Sequence, residues 1–538
     1  MESGGVPINV IQTQEDALNS EPDIISHSSV TVSALATSNV DLEVSKATEE
    51  NNKTENFLVA YFHKKTRGLS RSQVLILCIF PFVEFFAATV ISIQGPFYPD
   101  VAKSKGASST ESGIVFGIFE LTVFITAPIF GAKMGKWNPH RVFNYGIFTT
   151  SLMCMIFGFI HHVDGRFGFI ALSALVRTIE AIGDAAFVVA SFSIIAAEFP
   201  DSVATTFAMM ETFYGLGMIC GPVLGGALYE AGGFTLPFVL MGASLFITAA
   251  ATYMIFTRTS TVTVDSSKVV SSSSFNMFKM LRIPVIALTA YGTLAAATGI
   301  GFLANNLERH LTQFGLNHFE IGSIYMLNGG VYALSAPFWG KFCEKSSQPK
   351  IFSVAGSFLT ILGFVLIGPI PIPSWATTIP LICIGLVIFG LGLGSTLVSA
   401  FILFLQDAIA SGYADDVRTY GLVSGLWTSM TALGFFVGPV CGGILEDLVG
   451  FRWGTIFILI QQLILVALLA KFFMSNRSKS SDGNKNNSKL EDVVSNPVSA
   501  SKDDFASSTT IDLQDDLTAT SNGVKSSIGL QNPNFVQD

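Results

Sequence analysis

Twelve apolar segments constrain the fold more than any other feature of this sequence. They lie near residues 73–97, 113–134, 142–162, 167–194, 205–230, 234–257, 284–305, 320–342, 350–370, 379–405, 420–445 and 453–475. A helix of about 20 apolar residues crosses roughly 30 Å of hydrocarbon. Because the apolar runs are continuous and do not alternate, they predict helices and argue against a β-barrel. We therefore expect an all-α polytopic membrane protein with twelve transmembrane helices.

Composition supports this fold class and separates the membrane core from two polar tails. Half of the 538 residues are hydrophobic and 13% are charged, whereas soluble proteins have roughly a quarter charged residues. We predict disordered cytosolic tails at 1–70 and 476–538, six-helix bundles at 71–257 and 284–475, and a cytosolic linker at 258–283. Most of the net charge of −9 belongs to the tails, so it does not indicate what the core binds.

Two pairs of motifs show that the halves repeat. Residues 221–226 read GPVLGG and residues 438–443 read GPVCGG, while APIFGAKMGK from Ala127 matches APFWGKFCEK from Ala336. Because both pairs are separated by nearly the same distance in sequence, they predict two six-helix halves related by a pseudo-two-fold axis along the membrane normal. In transporters built this way, the substrate lies near the midplane between the halves.

Lysine and arginine are distributed unequally between the two sets of loops. The richer set comprises Lys64, Lys65, Arg67, Arg71, Lys133, Lys136, Arg141, Arg258, Lys268, Lys279, Arg282, Lys341, Lys345, Lys350, Lys471 and Arg477. The opposite set holds only Lys103, Lys105, Arg166, Arg309 and Arg452. The positive-inside rule then predicts that both termini are cytosolic.

Ionisable residues inside the apolar segments are the strongest functional signal. A charge at the bilayer centre costs at least about 2.5–3.5 kcal/mol, so such residues mark substrate or proton sites by default. The predicted substrate- and proton-binding acids are Glu84, Glu120, Glu180, Asp184 and Glu211. Helix 4 also carries Arg177, which shares one helix face with Glu180 and Asp184. Five acids against one base suit a cation or protons and would repel an organic anion.

Each assignment has a structural alternative. Arg177 and Glu180 either belong to the site or form an ion pair that only holds helices together. Asn305 and Glu308, at the end of helix 7, either contact the substrate at a luminal gate or form a polar helix end. An isolated acid such as Glu84 is either functional or neutralised by burial.

The sequence between helices 2 and 3 resembles a known gating motif. Residues 131–141, GAKMGKWNPHR, are similar to the cytosolic gating motif of the major facilitator superfamily, with Gly131, Lys136 and Arg141 in matching positions. Gly135 stands where the superfamily has Asp. The second copy keeps an acid, with predicted gating residues Gly340, Glu344 and Lys345.

The glycine–proline signature resembles the antiporter motif on helix 5 of the same superfamily. Its residues here are Gly221, Pro222, Gly225 and Gly226, and the repeat on helix 11 supplies Gly438 and Pro439. Small residues let helices approach closely. The resemblance implies an exchanger.

Within the superfamily, the chain resembles the vesicular amine transporter family, most of all its polyamine-transporting branch. The similarity runs through residues 177–183, 190–201 and 211–217, and through Glu84 with Pro96 and Pro99 after it. Unlike the monoamine and acetylcholine members, helices 10 and 11 lack deep acids and the first luminal loop, 98–112, is short. The resemblance implies a monomeric proton-coupled antiporter, without a cofactor, that loads cationic amines such as spermidine and spermine into secretory or synaptic-type vesicles.

The sequence is compatible with one other transport function, and it argues against an enzyme. A plasma-membrane multidrug or other small-solute proton antiporter would share the helix 5 motif. An enzyme is not expected, because the seven His lie in tails, loops or span ends and no nucleophile–base pair or metal-ligand spacing appears. No metal site and no nucleic-acid partner are predicted.

Overall fold

The computed structural model describes residues 69–95, 97–259, 277–316, 318–346, 348–368 and 377–472. Nearly all of both predicted tails, most of the linker 258–283 and Pro96 lie outside the described residues. The described part is helical and contains no β-strand, as the apolar segments predict.

Twelve long helices follow the twelve predicted segments. Their bounds are α1 Arg71–Ser92, α2 Ser109–Lys133, α3 Pro139–Phe157, α4 Arg166–Glu198, α5 Val203–Gly232, α6 Thr235–Thr259, α7 Pro284–Thr312, α8 His318–Lys345, α9 Lys350–Ile367, α10 Ile379–Ala410, α11 Val417–Val449 and α12 Phe451–Phe472. In the described residues, eleven helices are long and apolar enough to cross a membrane. The exception is α8, which has the length but a less apolar sequence. Short helices, Tyr98–Ser104 and Met277–Leu281, precede α2 and α7.

Local sequence explains where several helices begin. Ser70 and Gln73 form a capping box at α1, in which the Gln73 N–H donates to Ser70 Oγ at 3.2 Å and the Ser70 N–H donates to Gln73 Oε1 at 2.9 Å. Ser108 and Glu111 do the same at α2. Asp416 accepts two backbone N–H groups at the start of α11. These caps satisfy amide groups that the helix leaves unpaired.

The packing repeats between the halves. In the first half α1 packs on α5, α2 on α4 and α3 on α4; in the second, α7 packs on α11, α8 on α10 and α9 on α10. Between the halves, α2 contacts α11 and α5 contacts α8, which are again related pairs. The helix packing therefore has the two-fold organisation that the motif pairs predict.

Glycines allow the closest of these approaches. A Cβ atom at Gly217 of α5 would lie 2.8 Å from the Cβ of Ala88 on α1, and one at Gly438 of α11 would lie 2.7 Å from the Phe302 nitrogen on α7. Gly221 and Gly225 also face α1, whereas Gly226 faces open space. The antiporter-like motif thus packs α5 against α1, and its repeat packs α11 against α7.

This packing predicts unequal effects for two glycine substitutions on the same helix. We expect Gly217→Ala to destabilise the protein by about 1–3 kcal/mol, because the new methyl group overpacks the α1 contact. Gly226→Ala has room and gains helix propensity, so it is the matched control. The thermal unfolding midpoints in detergent should fall only for Gly217→Ala. Equal midpoints for both variants would contradict the contact.

Candidate functional site

The predicted acids of four helices converge inside the first half. We call Glu84, Glu120, Glu180, Asp184 and Glu211 the acid cluster. All are buried except Glu120, which is half-buried. Tyr214 of α5 lies within electrostatic range of all of them except Glu180. Sequence reasoning missed Tyr214, whose aromatic character did not distinguish it in a chain with 47 Phe.

Helix α4 contributes two of the five acids in the cluster. Glu180 and Asp184 point inward at successive turns, and Ser191 follows two turns later on the same buried face. The Ser191 hydroxyl donates to Glu84 Oε1 of α1 at 3.0 Å. One turn of helix advances about 5.4 Å, so the acids are staggered along the membrane normal and do not share one point.

Arg177 of α4 is enclosed by side chains from α2, from α4 and from the turn after α1. Its Nη1 lies 3.0 Å from Glu180 Oε2, with side-chain exposures of 3% and 2%, and its guanidinium carbon lies 4.2 Å from the Phe119 ring centroid on α2. With the Gln94 amide oriented to satisfy its neighbours, the Gln94 oxygen accepts from Nη2 at 2.7 Å. This enclosure ties the region after α1 to α2 and α4. It favours the structural alternative for the Arg177–Glu180 pair.

Asp184 has bonding capacity that the described residues do not use. Its Oδ1 is buried and has no hydrogen-bond partner in the described part of the chain. A buried polar atom without a partner costs free energy, so this oxygen is suited to hold a proton or an ammonium group.

Glu211 connects the acid cluster to the second half. The Tyr332 hydroxyl of α8 donates to Glu211 Oε2 of α5, and both side chains are buried. One turn along α5, a Cβ at Gly215 would lie 3.1 Å from the Ala333 Cβ. The sequence does not place Tyr332 beside Glu211, because no local pattern links residues on different halves.

Aromatic side chains from both halves meet beside the cluster. We call the side of the bundle at which α1 begins the N-terminal face. The rings of Phe207 on α5 and Phe401 on α10 stack at 4.3 Å, and Phe192 on α4 meets Trp427 on α11 edge-on at 5.4 Å. Phe207 lies one turn nearer the N-terminal face than Glu211. These rings therefore separate the acid cluster from that face.

The second copy of the gating motif bridges the halves. Glu344 Oε2 of α8 accepts from Thr205 Oγ1 of α5 at 2.6 Å, and Gly340 packs against the same helix. A carboxylate is favourable here because Thr205 lies in the first turn of α5, where the helix dipole is positive. Lys345 is exposed and makes no ion pair within the described residues.

The first copy replaces that bond with close packing. Gly131 of α2 approaches the Gly425 backbone of α11, with 3.2 Å between its Cβ position and the Gly425 Cα. Gly135, where the superfamily has Asp, packs against the Arg418 side chain. Lys136 and Arg141 are exposed. The first copy therefore closes the same face without the missing carboxylate.

The structure does not bring the end of α7 to the acid cluster. Glu308 is exposed, and its backbone N–H donates to the Tyr325 hydroxyl at 2.9 Å. The Asn305 side chain lies outside the described residues. Among the described residues, no group of three or more His, Cys, Asp or Glu side chains could hold a metal ion.

Comparison with known proteins identifies the family. The model of the Major Facilitator Superfamily matches residues 82–417. The chain belongs to the major facilitator superfamily. It is a multi-pass membrane protein, and its relatives are transporters.

Two relatives and one solved structure describe its position in the superfamily. The MFS-type transporter SLC18B1 of Rattus norvegicus is 32% identical over 76% of this chain and 88% of its own length. The chromaffin granule amine transporter of Rattus norvegicus is 25% identical over 64% of this chain and 62% of its own length. The crystal structure of the human organic anion transporter MFSD10 (TETRAN) has a TM-score of 0.55 at 15% identity, covering 73% of this chain and 98% of that one. This last likeness concerns the fold. The resemblance to vesicular amine transporters is confirmed.

The enclosure of Arg177 predicts a characteristic double-mutant result. Arg177→Met should destabilise the protein by about 3–5 kcal/mol, because it leaves Glu180 as a buried carboxylate without its partner. Arg177→Met combined with Glu180→Met should recover most of that loss. Thermal unfolding of the single and double variants measures the coupling.

An exposed ion pair provides the control. Arg166 pairs with Glu111 at 2.9 Å, and both side chains reach solvent, so Arg166→Met should leave the unfolding midpoint close to that of the wild type. If Arg177→Met were as mild as Arg166→Met, the structural role of Arg177 would be refuted.

Proposed function

We propose that this protein is a proton-coupled antiporter that loads cationic amines, polyamines such as spermidine and spermine, into acidic vesicles by alternating access. The observation that carries this proposal is the convergence of five buried or half-buried acids with a single base, Arg177, which Glu180 already neutralises. Both termini are then cytosolic, and the transporting unit is the monomer.

The charge balance of the site selects for cations. With Arg177 and Glu180 paired, Glu84, Glu120, Asp184 and Glu211 are left without a basic partner at salt-bridge distance in the described residues. Electrostatic interactions are strong where water is scarce. These carboxylates therefore attract a cation and repel an organic anion. Buried carboxylates of this kind are typical of proton relays in membrane carriers.

The stagger of the acids favours a substrate with several ammonium groups. Polyamines place their charges at intervals along a flexible chain, separated by short runs of methylene groups. Glu84 accepts from Ser191, which lies two turns along α4 from Asp184, so Glu84 and Asp184 lie at different depths. An extended polyamine can contact more than one of these carboxylates at once, whereas a monoamine satisfies only one.

The relatives support an amine as the substrate class. One relative is named a chromaffin granule amine transporter, and the motif resemblance predicted from the sequence is to the polyamine-transporting branch of that family. The organic anion transporter MFSD10 shares the fold at 15% identity, which gives no support for an anionic substrate.

Competition for the same carboxylates provides the coupling. A carboxylate that holds a proton cannot also neutralise an ammonium group, so protons from the acidic lumen displace the amine there and the protonated carrier returns. Tyr332 transmits the occupancy of Glu211 to α8, because its hydroxyl donates to that carboxylate. Opening of the N-terminal face then requires the Glu344–Thr205 bond and the Phe207–Phe401 stack to separate.

Uptake by purified protein in proteoliposomes with an acidic interior tests this function. Labelled spermidine should accumulate, and collapse of the pH gradient should abolish accumulation. Glu84→Gln and Glu211→Gln should each lower gradient-driven uptake at least about tenfold, since loss of a coupling carboxylate removes more than about 1.4 kcal/mol of binding or coupling free energy.

Glu230→Gln is the matched control, because Glu230 is an exposed carboxylate at the far end of the same helix as Glu211. Its uptake should equal that of the wild type. The proposal fails if spermidine and spermine do not accumulate, or if uptake ignores the pH gradient. Full uptake by both Gln variants would remove Glu84 and Glu211 from the site.

A further inference from the structure

A groove on the outside of the first half is separate from the acid cluster. It lies between α2 and α3, has α4 as its floor, and encloses about 500 Å³. Phe130 and Val142 form apolar walls, and Ile182 and Ala186 form the floor. Lys136 and Arg141 stand at its mouth. The groove is therefore apolar along its length and basic at one end.

The groove opens toward the lipid and not toward the interior of the bundle. Tyr145 is 70% exposed, and the exposed residues Leu152 and Ile156 continue its stripe along α3. Ile182 is the exposed residue of α4 beside it. Large apolar side chains exposed on the outside of a membrane-spanning bundle lie against acyl chains.

The basic mouth lies at the N-terminal face, where α2 ends and α3 begins. Neither Lys136 nor Arg141 makes a hydrogen bond or ion pair through its side chain within the described residues, and both are exposed. Lys133 lies over the Trp137 ring, with its Nζ 4.7 Å from the ring centroid. Trp and Tyr side chains of this kind mark the level of lipid headgroups.

We propose that this groove binds one anionic glycerophospholipid from the adjoining leaflet. The headgroup phosphate lies between Lys136 and Arg141, and an acyl chain follows the wall formed by Phe130 and Val142 to the floor on α4. The two unpaired cations are complementary to a phosphate-bearing anionic headgroup. The apolar walls exclude a soluble anion as the full occupant, because such a ligand would leave them uncovered.

The bound lipid lies directly behind a contact between the halves. The same loop holds Gly135 against Arg418, and Gly131 at the end of α2 packs against α11. A lipid wedged between α2 and α3 on the outer side supports the position of α2 in that contact. The site therefore adjoins the gate without sharing a residue with the acid cluster.

Lipid retention by the full-length protein tests this site. The protein is reconstituted in nanodiscs of phosphatidylcholine and phosphatidylserine, released, and analysed by native mass spectrometry. We expect one phosphatidylserine to be retained in preference to phosphatidylcholine. Lys136→Gln combined with Arg141→Gln should lower that preference about 30-fold, because two basic contacts at the membrane surface are lost.

Lys279→Gln combined with Arg282→Gln is the matched control. It removes the same charge from exposed residues at the same face, just before α7 and away from the groove. The control should keep the wild-type preference, and phosphatidylserine should raise the unfolding midpoint of the wild type and the control but not of the groove variant. Equal retention of the two lipids by the wild type, or equal loss in both double variants, would overturn the proposal.

Discussion

The burial of carboxylates at membrane depth is the constraint on which the rest of this structure depends. Each charge costs at least about 2.5–3.5 kcal/mol there. Among the described residues, every buried Asp, Glu or Arg side chain lies in the first half. Neighbouring side chains stabilise three of these carboxylates. Arg177 pairs with Glu180, Ser191 donates to Glu84, and Tyr332 donates to Glu211. The helix packing follows the two-fold repeat, but the distribution of buried charged residues does not. In the proposed mechanism the first half therefore provides the cation and proton chemistry, and the second half provides the surface against which it moves.

The two halves meet through different kinds of contact at different depths. At the N-terminal face, glycine packing joins α2 to α11 and the Glu344–Thr205 bond joins α8 to α5. Deeper in the bundle lie the Phe207–Phe401 stack and then the Glu211–Tyr332 bond. Only the last involves a member of the acid cluster. In the proposed mechanism this bond couples occupancy of the site to separation of the halves, as alternating access requires.

The sequence predicts the helices and the repeat well because both are written in local patterns. Apolar length placed the long helices, and the glycine–proline motif predicted that helix 5 approaches a neighbour closely. That this neighbour is α1, and that α11 packs on α7 in the same way, is known from the structure. The spacing of Glu180 and Asp184 predicted their shared face on α4. The contacts of Glu211 with Tyr332 and of Thr205 with Glu344 could not be predicted, since they join residues 121 and 139 positions apart. Glu308 is a candidate that the structure leaves outside the acid cluster. The sequence could not show this, because a polar residue at a helix end gives no information on its distance from the site.

Proton movement during amine entry tests the central claim most directly. Proteoliposomes with an acidic interior carry a trapped pH-sensitive dye, and spermine is added outside. If the acid cluster exchanges protons for amine, the interior becomes more alkaline as spermine enters, and a variant with both Glu84→Gln and Glu211→Gln gives only the passive background. Spermine entry without any change of interior pH, or an equal change in that variant, would contradict the account.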